Sequence, residues 1–211
     1  MTSLNSNQIS DVFNETFKHS DNTLIFGGQD EPLYVPASYP IKSDNRVINS
    51  ITEPLYCSHD YHRIFYKYDY PRSALHEISH WLIASERRRL LLDFGYWYNP
   101  DGRTNKQQTK FMQVEVYPQA LEKIFCERCG LNFIPSLDNL SGSQGKNELS
   151  VFSAMIDNKI SKIYQHPILG RTERFLEALN HYTKKLMLLD VTSLATHEIC
   201  NLKISTTKER Y

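Results

Sequence analysis

Residues 73–81 read SALHEISHW, and this stretch decides how the chain around it is read. Pro71 fits the first turn of a helix, because its missing N–H would have no intrahelical partner there. A helix of about Ser73 to Arg88 follows. Successive helical residues turn by about 100°, so His76 and His80 lie about 40° apart on one face and one turn apart along the axis. Two imidazoles at that spacing can grip one ion. Glu77 sits to one side of the same face, where its carboxylate reaches a bound water without being an obvious ligand. Read as ordinary structure instead, the two histidines would be half-buried helix residues bonded to backbone or water.

Two histidines seldom complete a metal site, so a carboxylate from elsewhere is expected. Glu86 falls about 600° beyond His80 and would face away unless the helix broke. Ile83, where a break would be needed, is a poor helix terminator. Val114 to Tyr117 reads as a short strand, on which alternation can aim Glu115 inward. Glu115 is the favoured third ligand, with Asp93, Asp101 and Glu122 behind it.

Outward from this helix the chain mixes short strands with helices. Ile9, Val12, Phe13 and Phe17 recur at helical spacing. Leu24 to Phe26, Leu33 to Val35 and Arg63 to Tyr68 read as strands, and residues 36–60 as a long irregular excursion. Asp93 to Tyr98 is aromatic enough for a further strand, ended by the turn Asn99-Pro100-Asp101-Gly102. Pro118 then opens a helix running to about Cys129, stopped by Gly130. After a polar loop at 141–147 come helices over Glu148 to Tyr164 and Arg171 to Leu189, with a polar, fraying tail from 190. No regular strand–helix alternation is present, so the class is α+β: a single domain over 1–211, with a small mixed sheet packed by helices.

Composition agrees. A chain of 211 residues, 40% apolar, buries about 70% of its unfolded surface and needs no metal merely to fold, so a metal site must be explained by chemistry. Lys+Arg and Asp+Glu both number 24, which argues against general affinity for nucleic acid or an anionic membrane. The polar opening residues and the lack of a long apolar run lead us to expect a cytoplasmic protein. The four cysteines are irregularly placed, and Cys126 with Cys129 read as packed thiols rather than half of a zinc site.

Beyond the bare HExxH, the chain resembles the bacterial elongation factor P hydroxylase family. The matching stretches are DEPLYVPA (30–37), YHRI (61–64), SALHEISHW (73–81), DFGYWYNPDGR (93–103), VEVYPQALE (114–122) and LDNLSG (137–142), in order over about half the chain. The match departs just before the helix, where this chain has Tyr68-Asp69-Tyr70. The resemblance implies a compact α+β domain with non-haem Fe(II) held by His76, His80 and Glu115. It also implies oxygen-dependent hydroxylation of the β-lysyl-modified lysine of elongation factor P.

A long cationic substrate side chain calls for acidic and aromatic neighbours, so Asp30, Glu31, Tyr96, Trp97 and Tyr98 are candidate channel residues. Arg87, Arg88 and Arg89 are candidates for docking an acidic protein, although cations near a helix end also complement its dipole. The alternative reading of the same motif is a zinc hydrolase with Glu77 as general base. A third is a non-catalytic module that recognises a translation factor through a structural metal.

Overall fold

The sheet is assembled around its central strand. A computed structural model describes residues 3–37, 39, 60–95, 103–137 and 146–207, with side chains given through 189 except that of 146. Strand β3 (His62–Lys67) lies between β1 (Thr23–Gln29) and β2 (Leu33–Val35), parallel to the first and antiparallel to the second. Ile64 and Phe65, both apolar, give the strand two buried faces. The Ile64 face joins the main core, whereas Phe65 packs with Leu33 and Val35 on the other side. At the β1 bulge, a Cβ on Gly27 would lie 2.5 Å from Cζ of the buried Tyr66 ring. Gly27→Ala is therefore expected to lower stability by about 1–3 kcal/mol, the usual cost of overpacking, measurable by urea denaturation.

Among the described residues five α-helices accompany the sheet: α1 (Ser6–Phe17), α2 (Pro71–Ile83), α3 (Asn105–Arg128), α4 (Lys146–Tyr164) and α5 (Arg171–Thr207). The α+β class and its small mixed sheet are as expected. Ala74, Leu75, Ile78, Trp81 and Leu82 form the buried stripe of α2 and enter one core with Phe13 and Phe17 of α1 and Phe175 of α5. This leaves the adjoining face of α2, with His76 and His80, turned toward α3. Among the described residues, no helix is long and apolar enough to cross a membrane.

Several expected elements take another form. Val114 to Tyr117 is not a strand, and Pro118 does not open a helix; both lie inside the 24-residue α3. That helix starts at a capping box in which Thr104 and Gln107 satisfy each other's backbone N–H groups. Helix α2 stops at Ile83 rather than near Arg88, with Ala84 already extended. Its final carbonyls, of Leu82 and Ala84, accept from Nη2 of Arg171 at 3.0 and 2.7 Å, so a guanidinium from α5 replaces the hydrogen bonds of a further turn. Arg87 to Arg89 thus follow α2, in a turn and a short 3-10 helix (Arg88–Leu90). Instead of a strand, Leu92–Gly95 is a second short 3-10 segment with left-handed Asp93 and Phe94, φ 46° and 57°. The turn at 99–102 lies outside the described residues. Helix α5 continues to Thr207, past the expected end at Leu189.

Candidate metal centre

Helix α2 supplies His76 and His80 on adjacent turns, and α3 supplies Glu115 from the turn facing them. The two Nε2 atoms are 3.1 Å apart. Glu115 reaches both, with Oε2 3.5 Å from Nε2 of His76 and Oε1 3.4 Å from Nε2 of His80. One donor atom from each of the three residues falls within 4.8 Å of the others. Separations of 3.1 to 3.5 Å match the edges of a polyhedron around an ion bound at about 2.1 Å. Glu115 is 3% exposed, yet its Oε2 has no hydrogen-bond partner. A buried carboxylate oxygen without a donor is costly, and a cation beside two imidazole nitrogens would satisfy it.

The electrostatics describe the same arrangement with protons in place of an ion. Burial pushes the Glu115 carboxyl up, but His80 and His76 outweigh this and bring it down to about 2. Burial pushes His76 down, while its hydrogen bond to Glu122 and the charges of Glu122 and Glu115 carry it up to about 10. Desolvation raises the neighbouring Glu77 to about 7 against the pull of both histidines. Burial thus favours the protonated form of Glu77 more than in an ordinary glutamate.

Glu122, two turns beyond Glu115 on α3, occupies a different place. Its Oε2 is 3.0 Å from Nδ1 of His76, on the ring edge away from the ion site. Its Oε1 accepts from Nε and Nη2 of Arg72 at 3.1 and 3.0 Å. Gln119, between the two glutamates, donates to the carbonyl of Ser136 at 2.7 Å and accepts from its N–H at 3.0 Å, fixing residues 131–137 beside the site. Asp93, the other alternative that the structure describes, accepts from the N–H of Tyr34 at 2.9 Å, and burial raises its carboxyl. Phe94 stacks on Tyr34 with centroids 4.1 Å apart and lies nearly parallel to His80 at 6.5 Å.

A cavity of about 640 Å³ lies beside this centre and touches it through His76; Glu77, Glu122 and Arg72 also line it, with the more exposed Glu31, Lys67 and Tyr70 toward its mouth, whereas His80 and Glu115 do not line it. Lys67 Nζ lies 3.5 Å from Glu31 Oε1. Tyr70, half-exposed, meets Tyr68 edge to face at 5.4 Å, so the segment where the family resemblance departs contributes to the rim. Asp30 is exposed in the turn after β1 and does not line this cavity, and Glu86 is exposed beyond the end of α2. Tyr96, Trp97, Tyr98 and Asp101 lie outside the described residues. Arg88 donates to the carbonyl of Phe94 at 3.1 Å and Arg89 lies over the Trp81 ring at 5.8 Å; Arg87 is exposed. Cys126 and Cys129 are buried free thiols, pushed up to about 12 by burial, and are poor nucleophiles.

Sequence reasoning passed over Arg72 and Gln119. Arg72 stands one turn before His76, and Gln119 one turn after Glu115, at the spacing of neighbours on a helix face. The second signal was hidden once Glu115 had been placed on a strand.

Fold and site together define an α+β protein with a two-histidine, one-carboxylate donor set beside a cavity. The model of the elongation factor P hydroxylase family matches residues 12–192, and the chain belongs to that family. It is similar to the elongation factor P lysine hydroxylase of Haemophilus influenzae, 40% identical over 137 residues, covering 65% of this chain and 67% of the relative.

Proposed function

We propose that this protein hydroxylates elongation factor P on its β-lysyl-modified lysine, in the cytoplasm, with non-haem Fe(II) held by His76, His80 and Glu115 and dioxygen as co-substrate. The observation that carries the reading is the convergence of the buried Glu115 carboxylate, whose Oε2 has no hydrogen-bond partner, on the Nε2 atoms of His76 and His80, in a member of this family. Two neutral imidazoles and one carboxylate leave adjacent positions open, and ferrous iron bound there supplies the oxygen activation that attack on an unactivated C–H bond requires. One oxygen atom enters the substrate and the other leaves as water, with two electrons and two protons from an external reductant.

The protein's own part is to position and to exchange protons. The cavity has room for an extended side chain, and hydroxylation depends on holding one carbon of it beside the oxidant. Glu31 meets the substrate's ammonium at the mouth in place of Lys67. Glu77, which lines the cavity next to His76, serves to hand protons to the reacting centre. Of the three arginines, Arg87 is the one whose side chain is available to an acidic partner surface.

The direct test is mass spectrometry of β-lysylated elongation factor P after incubation with the ferrous protein, a reductant and air. The modified peptide should gain one oxygen atom, and only aerobically. No gain under conditions in which the H. influenzae enzyme succeeds rejects the proposal, and turnover that persists without oxygen favours a zinc hydrolase. Glu31→Gln should raise KM roughly tenfold with kcat little changed, the worth of one charge-assisted hydrogen bond. An unchanged KM removes Glu31 from substrate recognition.

A further inference from the structure

A histidine serves a metal well only when one ring nitrogen is committed elsewhere, because that commitment fixes both the tautomer and the ring plane. For His76 the commitment is visible. Glu122 is 3% exposed and divides its two oxygens, Oε2 toward Nδ1 of His76 and Oε1 toward the guanidinium of Arg72. A carboxylate only accepts, so Nδ1 must carry a hydrogen and donate it, which leaves Nε2 as the nitrogen for an ion. Turning the imidazole over would break this bond and aim a carbon at the ion site.

What keeps the carboxylate itself from turning is Arg72. Its Nε and Nη2 both hold Oε1 while Oε2 faces His76, so the carboxylate cannot turn without giving up a partner at each oxygen. The guanidinium is anchored in turn by the carbonyl of Ile134, which accepts from Nη2, and by the ring of Phe133 at 5.4 Å. Arg72 precedes His76 by four residues, so one helix face carries both the ligand and the group that secures its orienting carboxylate.

We propose that Arg72 is a positioning residue for the metal centre: acting through Glu122, it locks the His76 ring with Nε2 toward the ion. This rests on the ligand set of the proposed function, but not on the identity of the metal or of the substrate.

The test uses Zn(II) alone as probe, with affinities taken by competition against a chromophoric chelator. Arg72→Ala is expected to weaken binding by about tenfold or more, within the range typical for groups one step removed from a metal. Glu122→Gln is expected to do the same, since an amide cannot accept from both Nδ1 and the guanidinium. The double variant should be no weaker than the worse single one, because both act along one route. In NMR spectra of the zinc-loaded protein, the Nδ1 proton of His76 should exchange slowly in the wild type and faster in Arg72→Ala. Arg72→Lys, which keeps the charge but not the fork, should recover part of the lost affinity.

Wild-type affinity in Arg72→Ala, or effects that multiply in the double variant, would overturn the proposal. His76→Ala separates the two levels of inference. If it loses zinc while Arg72→Ala retains it, only the positioning role fails. If it also retains zinc, the ligand set itself is wrong. The melting temperatures of the metal-free variants show whether a loss of affinity reflects unfolding.

Discussion

Glu115→Gln is expected to abolish metal retention and hydroxylation while leaving the helical fold in place. The substitution keeps the shape of the side chain and removes its negative charge. It also replaces one oxygen by an NH2 group, which has hydrogens but no lone pair to offer a cation. Buried as Glu115 is, no other described carboxylate stands opposite both Nε2 atoms: Glu122 is engaged on the Nδ1 side. Substitution of groups that merely orient a ligand costs 10–100-fold in metal affinity, so loss of a ligand should exceed about a hundredfold. Turnover should fall below about one per cent. Calorimetric titration of the metal-free variant with Fe(II) under anaerobic conditions checks the first expectation and the elongation factor P assay the second. Affinity within threefold of wild type would remove Glu115 from the ligand set.

The second large effect belongs to the core beneath the site. Trp81, directly after His80, is fully buried, with the rings of Phe13 and Phe17 at 5.1 and 4.8 Å. Arg171 lies over its indole at 4.6 Å. The tryptophan thus connects α1, α2 and the guanidinium that closes α2. Trp81→Ala removes a large buried ring from a place where three helices meet and should cost about 3–5 kcal/mol. For a domain of this size that is roughly 10 °C in melting temperature. Because His80 is its immediate neighbour, metal affinity should fall along with stability. Trp81→Phe, which refills most of the volume, should recover much of both. Thermal melts of the metal-free protein followed by circular dichroism decide the matter; a shift below about 3 °C would mean that this cluster does not hold the helix in place.

How much could be read beforehand differs between the two helices that build the centre. Helix α2 was legible because its residues agree at every level: Pro71 at the start, an apolar stripe, and two histidines on the adjoining face. Only its end was misread, since Ile83 gives no local stop signal and the cap comes from Arg171, 87 residues away from Ala84. Helix α3 was opaque for the opposite reason. Its inward positions Gln108, Glu115, Gln119 and Glu122 are polar and buried, so hydrophobic periodicity is erased where it would normally announce a helix. The β-branched Val114 and Val116 and the interior Pro118 then imitate a strand followed by a helix start. The capping box Thr104-x-x-Gln107 was the available sign that a helix begins there. The structure brings His76, His80 and Glu115 together, although a helix, not the strand argued from alternation, aims Glu115. The bond between Arg72 and Glu122 spans 50 positions, and no spacing rule reaches that far.

The closing of α2 by Arg171 also bears on how the chain is made. Translation delivers both histidines long before residue 171, so the nascent protein carries the histidine-bearing helix with its last turn unfinished until α5 leaves the ribosome. A fragment ending at residue 170 would keep every proposed ligand and still lack the group that secures the end of their helix.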